Sequence, residues 1–156
     1  MGQDTIQSVS AVTDVPIPKL FDFLRVPANH VRMDGSGQLV SADLQPIEAV
    51  GDVFTVQVSS PERGEYVVEN HVVAFIADAQ IAWLPAAVGK EPSGLRWEWV
   101  FDVGAHGETI ITQTCDWSQA SDDYLATRSL PMVTADEMRL SIRRLIELVS
   151  STIRLT

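Results

Sequence analysis

Trp97 and Trp99 stand two residues apart, with Trp83 in a neighbouring strand-like segment. On a strand this spacing puts side chains on one face. The indoles therefore make either an aromatic wall suited to a flat or steroidal molecule, or a plain packed core. Asn70 is polar on a face otherwise built from Tyr66, Val68, Val72, Ala74 and Ile76. An inward amide must find a hydrogen bond or cost roughly 1–3 kcal/mol, so Asn70 meets a backbone group, a buried water or a ligand. Gln113 has the same standing if it shares the face of Ile111 and Cys115, and Tyr66 would set a phenol into the same wall.

The titratable residues offer less. His30 and Asp34 lie at helical i, i+4 spacing beside a glycine turn. They form either an acid/base pair at a pocket mouth or, the favoured reading, a turn closed by Asp34 with His30 partly exposed. Asp116 falls by alternation on the face opposite Cys115 and Trp117, which suits a solvent or backbone-bonding role better than catalysis. His71 reads as outward, His106 as a turn residue and Cys115 as a small hydrophobe. The chain carries no G-x-S-x-G, no H-E-x-x-H, no paired cysteines and no glycine-rich phosphate loop. No residue is assigned a catalytic role, and neither a cofactor nor a metal is expected.

Strands must position most of these residues. Thr5 to Thr13 alternates loosely, and Val15-Pro16-Ile17-Pro18 breaks it. Proline suits a first helical position because its missing N–H had no partner there, and Leu20, Phe21 and Leu24 follow on one helical face. Residues 27–34 read as a second short helix ended by Gly35-Ser36-Gly37. Period-2 patterns then dominate: Gln38–Leu44, Val53–Val58, a long strand from Tyr66 to Ile76, Gln80–Leu84, Leu95–Val103 and Glu108–Trp117. In the fifth of these, Leu95, Trp97, Trp99, Phe101 and Val103 alternate against Arg96, Glu98 and Asp102.

A long helix closes the chain, expected from Thr134 to about Ser151. Thr134 and Glu137 have capping-box spacing. Met138, Ile142, Leu145, Ile146 and Val149 recur at helical intervals, away from Arg143, Arg144 and Glu147. Between the last strand and this helix, Ser118–Val133 shows poor periodicity and is either a lid or binding loop or a short helix.

Composition narrows the function classes. A chain of 156 residues with 46% hydrophobic and 21% charged side chains fits one soluble domain over residues 1–156. No apolar run approaches the ~20 residues of a membrane span. The opening residues lack the basic and apolar regions of a signal peptide, and Ile6 fails the myristoylation pattern. Acidic residues outnumber basic ones 21 to 11, for a net charge of −10, which opposes nucleic-acid and anionic-membrane binding. A single cysteine excludes an intramolecular disulfide and points to a reducing cytoplasm. The pattern leaves the oligomeric state open.

Three segments carry a family resemblance: Pro18–Leu24 with Pro27–Gly37 (PKLFDFL and PANHVRMDGSG), Thr109–Ser118 (TIITQTCDWS) and Pro131–Ser141 (PMVTADEMRLS). Together with the element order, they resemble the START-like or SRPBCC superfamily, in its polyketide cyclase/dehydrase-like branch. The chain departs from that pattern at Met33, where an aromatic is common, and at Cys115, where a tyrosine often precedes Asp-Trp-Ser. Both departures enlarge or soften the cavity.

The resemblance implies an α+β helix-grip fold. About seven antiparallel strands curve around a long C-terminal helix, with two short helices after the first strand and an apolar cavity between sheet and helix. The expected ligand contacts are Tyr66, Asn70, Trp83, Trp97, Trp99, Gln113 and Ile142. The function ranked first is binding of an apolar small molecule such as a lipid or polyketide. A polyketide aromatase/cyclase ranks second, and a protein-interaction module using the acidic exterior or Ser118–Val133 third.

Overall fold

The computed structural model describes residues 4–155, with side chains to Ser151; residues 1–3 and 156 of the expected domain lie outside the described ones. Seven antiparallel strands form one sheet in the order β1-β7-β6-β5-β4-β3-β2. The strands are β1 (Ile6–Thr13), β2 (Leu39–Ala42), β3 (Val53–Ser60), β4 (Gly64–Ile76), β5 (Gln80–Ala87), β6 (Arg96–Val103) and β7 (Thr109–Asp116). Helices α1 (Ile17–Leu24) and α2 (Pro27–Met33) carry the chain from β1 at one edge to β2 at the other. Helix α3 (Asp122–Thr127) and the long α4 (Ala135–Leu155) follow β7. This is the helix-grip order expected from the sequence, with α3 added.

Alternation explains the sheet. Thr109, Ile111, Gln113 and Cys115 of β7 are buried while the residues between them are half-buried. Leu20, Phe21 and Leu24 are the buried face of α1. At the start of α4 the Glu137 N–H donates to Thr134 Oγ1 at 3.1 Å, and the Thr134 N–H donates to Glu137 Oε1 at 2.9 Å. That reciprocal cap fixes which face of α4 points inward, and Met138, Ile142, Leu145 and Val149 are buried on it.

Two strand readings are corrected. The pairing of β4 with β5 shifts between Val72 and Ala74, a bulge at Val73. One inserted residue reverses the faces beyond it. Phe75 therefore packs inward, edge-on to Phe21 with centroids 5.5 Å apart, and Ile76 is 58% exposed rather than sharing the face of Asn70. Strand β5 also runs past Leu84 to Ala87 despite Pro85. Its pairing with β6 ends at Trp83, so from there it bonds to β4 alone, and a proline is tolerated because only one side of the strand is paired.

Helix α4 packs mainly on β1, β7, α1 and α2. The middle strands of the curved sheet receive little of its surface, so a gap remains above them. Gly35 lets the turn after α2 approach α4 closely: a side chain there would strike the Glu137 carbonyl and Leu140, and the Gly35 N–H donates to Ser141 Oγ at 2.7 Å. The helices are thus pinned at one end of the gap.

Candidate functional site

The gap is a cavity of about 380 Å³, at the lower end of the ~300–1,000 Å³ typical of small-molecule sites. Its floor is the inner face of the sheet. Trp83 pairs across strands with Trp97, and Trp99 pairs with Gln113. Phe54 and Pro85 flank Asn70 on either side. Met33 closes it from α2, Met138 and Ser141 from α4, and Tyr124, Arg128, Met132 and Val133 from the segment after β7.

Six of the seven expected contacts, Tyr66, Asn70, Trp83, Trp97, Trp99 and Gln113, line this one cavity. Ile142 does not: it is 1% exposed and belongs to the core beside Leu20 and Leu145. The helix instead offers Met138 and Ser141, because it packs on β1 and β7 rather than on the open central strands.

The two amides have a distinctive state. Asn70 and Gln113 are 6% and 8% exposed, and the side-chain oxygen of each is buried without a hydrogen-bond partner. Each such group costs about 1–3 kcal/mol. A polar ligand atom, or a water held with the ligand, would offset that cost.

His30 differs from the expectation of partial exposure. It is 8% exposed, stacked on Trp83 with centroids 5.5 Å apart and edge-on to Phe54 at 6.0 Å. Helix α2 drives it into the aromatic end of the cavity. Its Nε2 lies 2.6 Å from the Leu24 carbonyl and so donates to it. Burial pushes its pKa below the usual 6.5, against weaker upward pulls from that hydrogen bond and from Asp34. Burial therefore favours the neutral ring.

Asp34 closes the turn, as the favoured reading had it. It accepts from the Ser36 N–H and hydroxyl at 3.0 and 2.7 Å, and from the Leu39 N–H at 2.9 Å. Its oxygens are committed to the turn, and no hydrogen bond joins it to His30.

The remaining candidates are structural. Asp116 accepts from the N–H and hydroxyl of Ser118. Cys115 is buried, and desolvation pushes its thiol up to about 12, with Asp116 adding to the shift. His71 is half-buried on the outer face with Nε2 lacking a partner, and His106 lies in the β6–β7 turn.

The segment Ser118–Val133 contains the short helix that its sequence allowed, α3, capped by Ser121, and part of it lines the cavity. The Ser121 N–H donates to the Ser93 carbonyl at 2.8 Å, and the Ser129 hydroxyl donates to Glu62 at 3.2 Å. The segment therefore bridges the β5–β6 loop and the β3–β4 turn. Arg63, Tyr124 and Arg128 enter the site here and were not among the sequence candidates. A signal was present: Arg128 is the one basic residue in that segment and stands four positions after Tyr124, as Arg63 stands three before Tyr66.

No family model and no curated protein sequence matches the chain. Solved structures are similar to it in fold. Protein Ms6760 from Mycobacterium smegmatis superposes with a TM-score of 0.68 at 16% identity, covering 95% of this chain and 92% of that one. Ginseng major latex-like protein 151 from Panax ginseng gives 0.59 at 13% identity, covering 91% and 96%. DynU16, a protein of the dynemicin biosynthetic locus, gives 0.61 at 12% identity, covering 96% of this chain and 49% of its own. These likenesses establish the helix-grip fold. Among the described residues, no helix is long and apolar enough to cross a membrane.

Proposed function

We propose that this chain is a cytoplasmic single-domain binder of an apolar small molecule, of the polyketide cyclase/dehydrase-like branch of the START-like superfamily. The observation that carries this reading is the cavity itself: Trp83, Trp97 and Trp99 form its floor, and the buried side-chain oxygens of Asn70 and Gln113, which line it too, are unpartnered. A ligand burying ~300 Å² of apolar surface there gains roughly 7 kcal/mol gross at ~25 cal/mol per Å². Ordering and translational losses subtract from that, leaving binding weaker than micromolar from apolar burial alone.

A cyclase of the aromatase type is the second reading. It is favoured by the unpartnered side-chain oxygens of Asn70 and Gln113 and the Tyr66 phenol in the cavity wall, and by the biosynthetic locus of one structural neighbour. Against it, the Asp34 carboxylate is committed to its turn and His30 Nε2 to the Leu24 carbonyl. General acid/base catalysis needs a group free to move a proton at the reacting atom.

The test is titration with the neutral fluorophore N-phenyl-1-naphthylamine. The proposal expects saturable, blue-shifted emission that weakens in Trp97→Ala while the circular dichroism of that variant stays unchanged. No saturable binding to the intact protein would overturn it.

A further inference from the structure

We infer that the occupant is an amphiphile with one anionic head group, its apolar body on the tryptophan floor and its head between Arg63 and Arg128. The inference rests on the cavity being the binding site. It begins from the two arginines, which reach the cavity from different parts of the chain, the β3–β4 turn and the end of α3. The Arg63 guanidinium lies over Tyr66 at 4.3 Å from the ring centroid, and that of Arg128 over Tyr124 at 4.8 Å. These are the chain's two tyrosines, and both line the cavity. Both arginine–tyrosine pairs line the same cavity; burial pushes the Tyr124 phenol up to about 12, and the charges of Arg128 and Arg63 pull it back down.

Neither arginine has a carboxylate. Among the described residues the ion pairs are Arg96–Glu98 and Arg139–Asp136. Arg128 spends Nη1 on Thr127, at 2.8 Å to its hydroxyl, while its Nε is buried with no acceptor. In a chain with 21 acidic and 11 basic residues, two guanidiniums that line one cavity, each over a tyrosine ring and neither in an ion pair among the described residues, make a candidate anion site.

The nearby acids do not fill it. Asp34 is tied to Ser36 and Leu39, Glu62 accepts from Ser129, and exposed Glu91 is accompanied by Lys90 on the same rim. A guanidinium matches a carboxylate with paired N–H donors, and aromatic stacking preorganises its plane. Exposed Arg63 and Lys90 mark this end as the one open to solvent, where a charged head stays hydrated while its tail enters.

The experiment displaces bound N-phenyl-1-naphthylamine with decanoate and with decan-1-ol, which share a chain and differ in the head. The intact protein should prefer decanoate by about tenfold or more, since charge-assisted hydrogen bonds exceed neutral ones. That preference should shrink at high salt. It should vanish in the Arg63→Gln/Arg128→Gln double variant, whose circular dichroism and thermal midpoint, unchanged from the parent, show the fold intact. Equal affinity for the two competitors, or a preference that survives the double substitution, would overturn the anion site while leaving the apolar cavity standing. Failure of the dye to bind at all would overturn the cavity reading and this inference together.

Discussion

Replacing Asn70 by Leu should make the ligand-free protein more stable. Its side-chain oxygen is buried without a partner, and Phe54 and Pro85 are its cross-strand neighbours. An unsatisfied buried polar group costs about 1–3 kcal/mol, and leucine of similar size removes that cost without opening a hole. For a chain of this length the gain corresponds to a rise of roughly 2–12 °C in Tm. Gln113→Met should act in the same direction, because its oxygen is equally unpartnered. Asn70 and Gln113 sit on β4 and β7, three strands apart in the sheet. At ~4.8 Å per strand that is about 14 Å along the sheet, far enough for the two effects to add.

The assay is urea unfolding of both single variants and the double, with the m-value checked for constancy. Calorimetry supplies Tm. Additive gains would mark the two amides as groups retained at a cost in stability, the pattern expected where selection keeps a binding group. A loss of 1 kcal/mol or more in either single variant would refute the reasoning. It would mean that the amide is satisfied in the ligand-free protein.

Three other outcomes are expected. Gly35→Ala should cost about 1–3 kcal/mol by overpacking, since the new methyl meets the Glu137 carbonyl and Leu140; denaturant unfolding measures it. Stability should fall as pH drops below His30's ordinary value of 6.5, because the unfolded chain takes up a proton that the buried ring refuses. The added slope is at most about 1.4 kcal/mol per pH unit, full stability holds above that pH, and the slope should be absent from His30→Phe between that pH and the onset of carboxylate titration. Cys115, with its thiol pushed up to about 12, should react with a disulfide reagent only at the rate of unfolding, whereas rapid modification of native protein would contradict its burial.

The sequence made some elements plain because a single local rule governs them. The alternation of Trp97, Trp99 and Phe101 against Glu98 and Asp102 reports a half-buried strand, and Thr134 with Glu137 reports a helix start. Other features depend on tertiary context. The Val73 bulge lies in a run of strand-forming residues with no local mark, so the inward position of Phe75 was not visible. His30 is buried because α2 docks on Trp83, a contact 53 positions away in sequence. Ile142 and Met138 share one apolar stripe of α4, and only the helix's placement over β1 and β7 decides that Met138 meets the cavity. Arg63 and Arg128 read as ordinary surface charges until the turn and α3 bring them together.

Native mass spectrometry of freshly purified protein, before and after organic extraction, tests the central claim most directly. The account predicts a discrete added mass that extraction removes, of a size suited to the 380 Å³ cavity and carrying an anionic group. A protein that shows only its sequence mass, and that also fails to take up decanoate when it is supplied, would contradict the account.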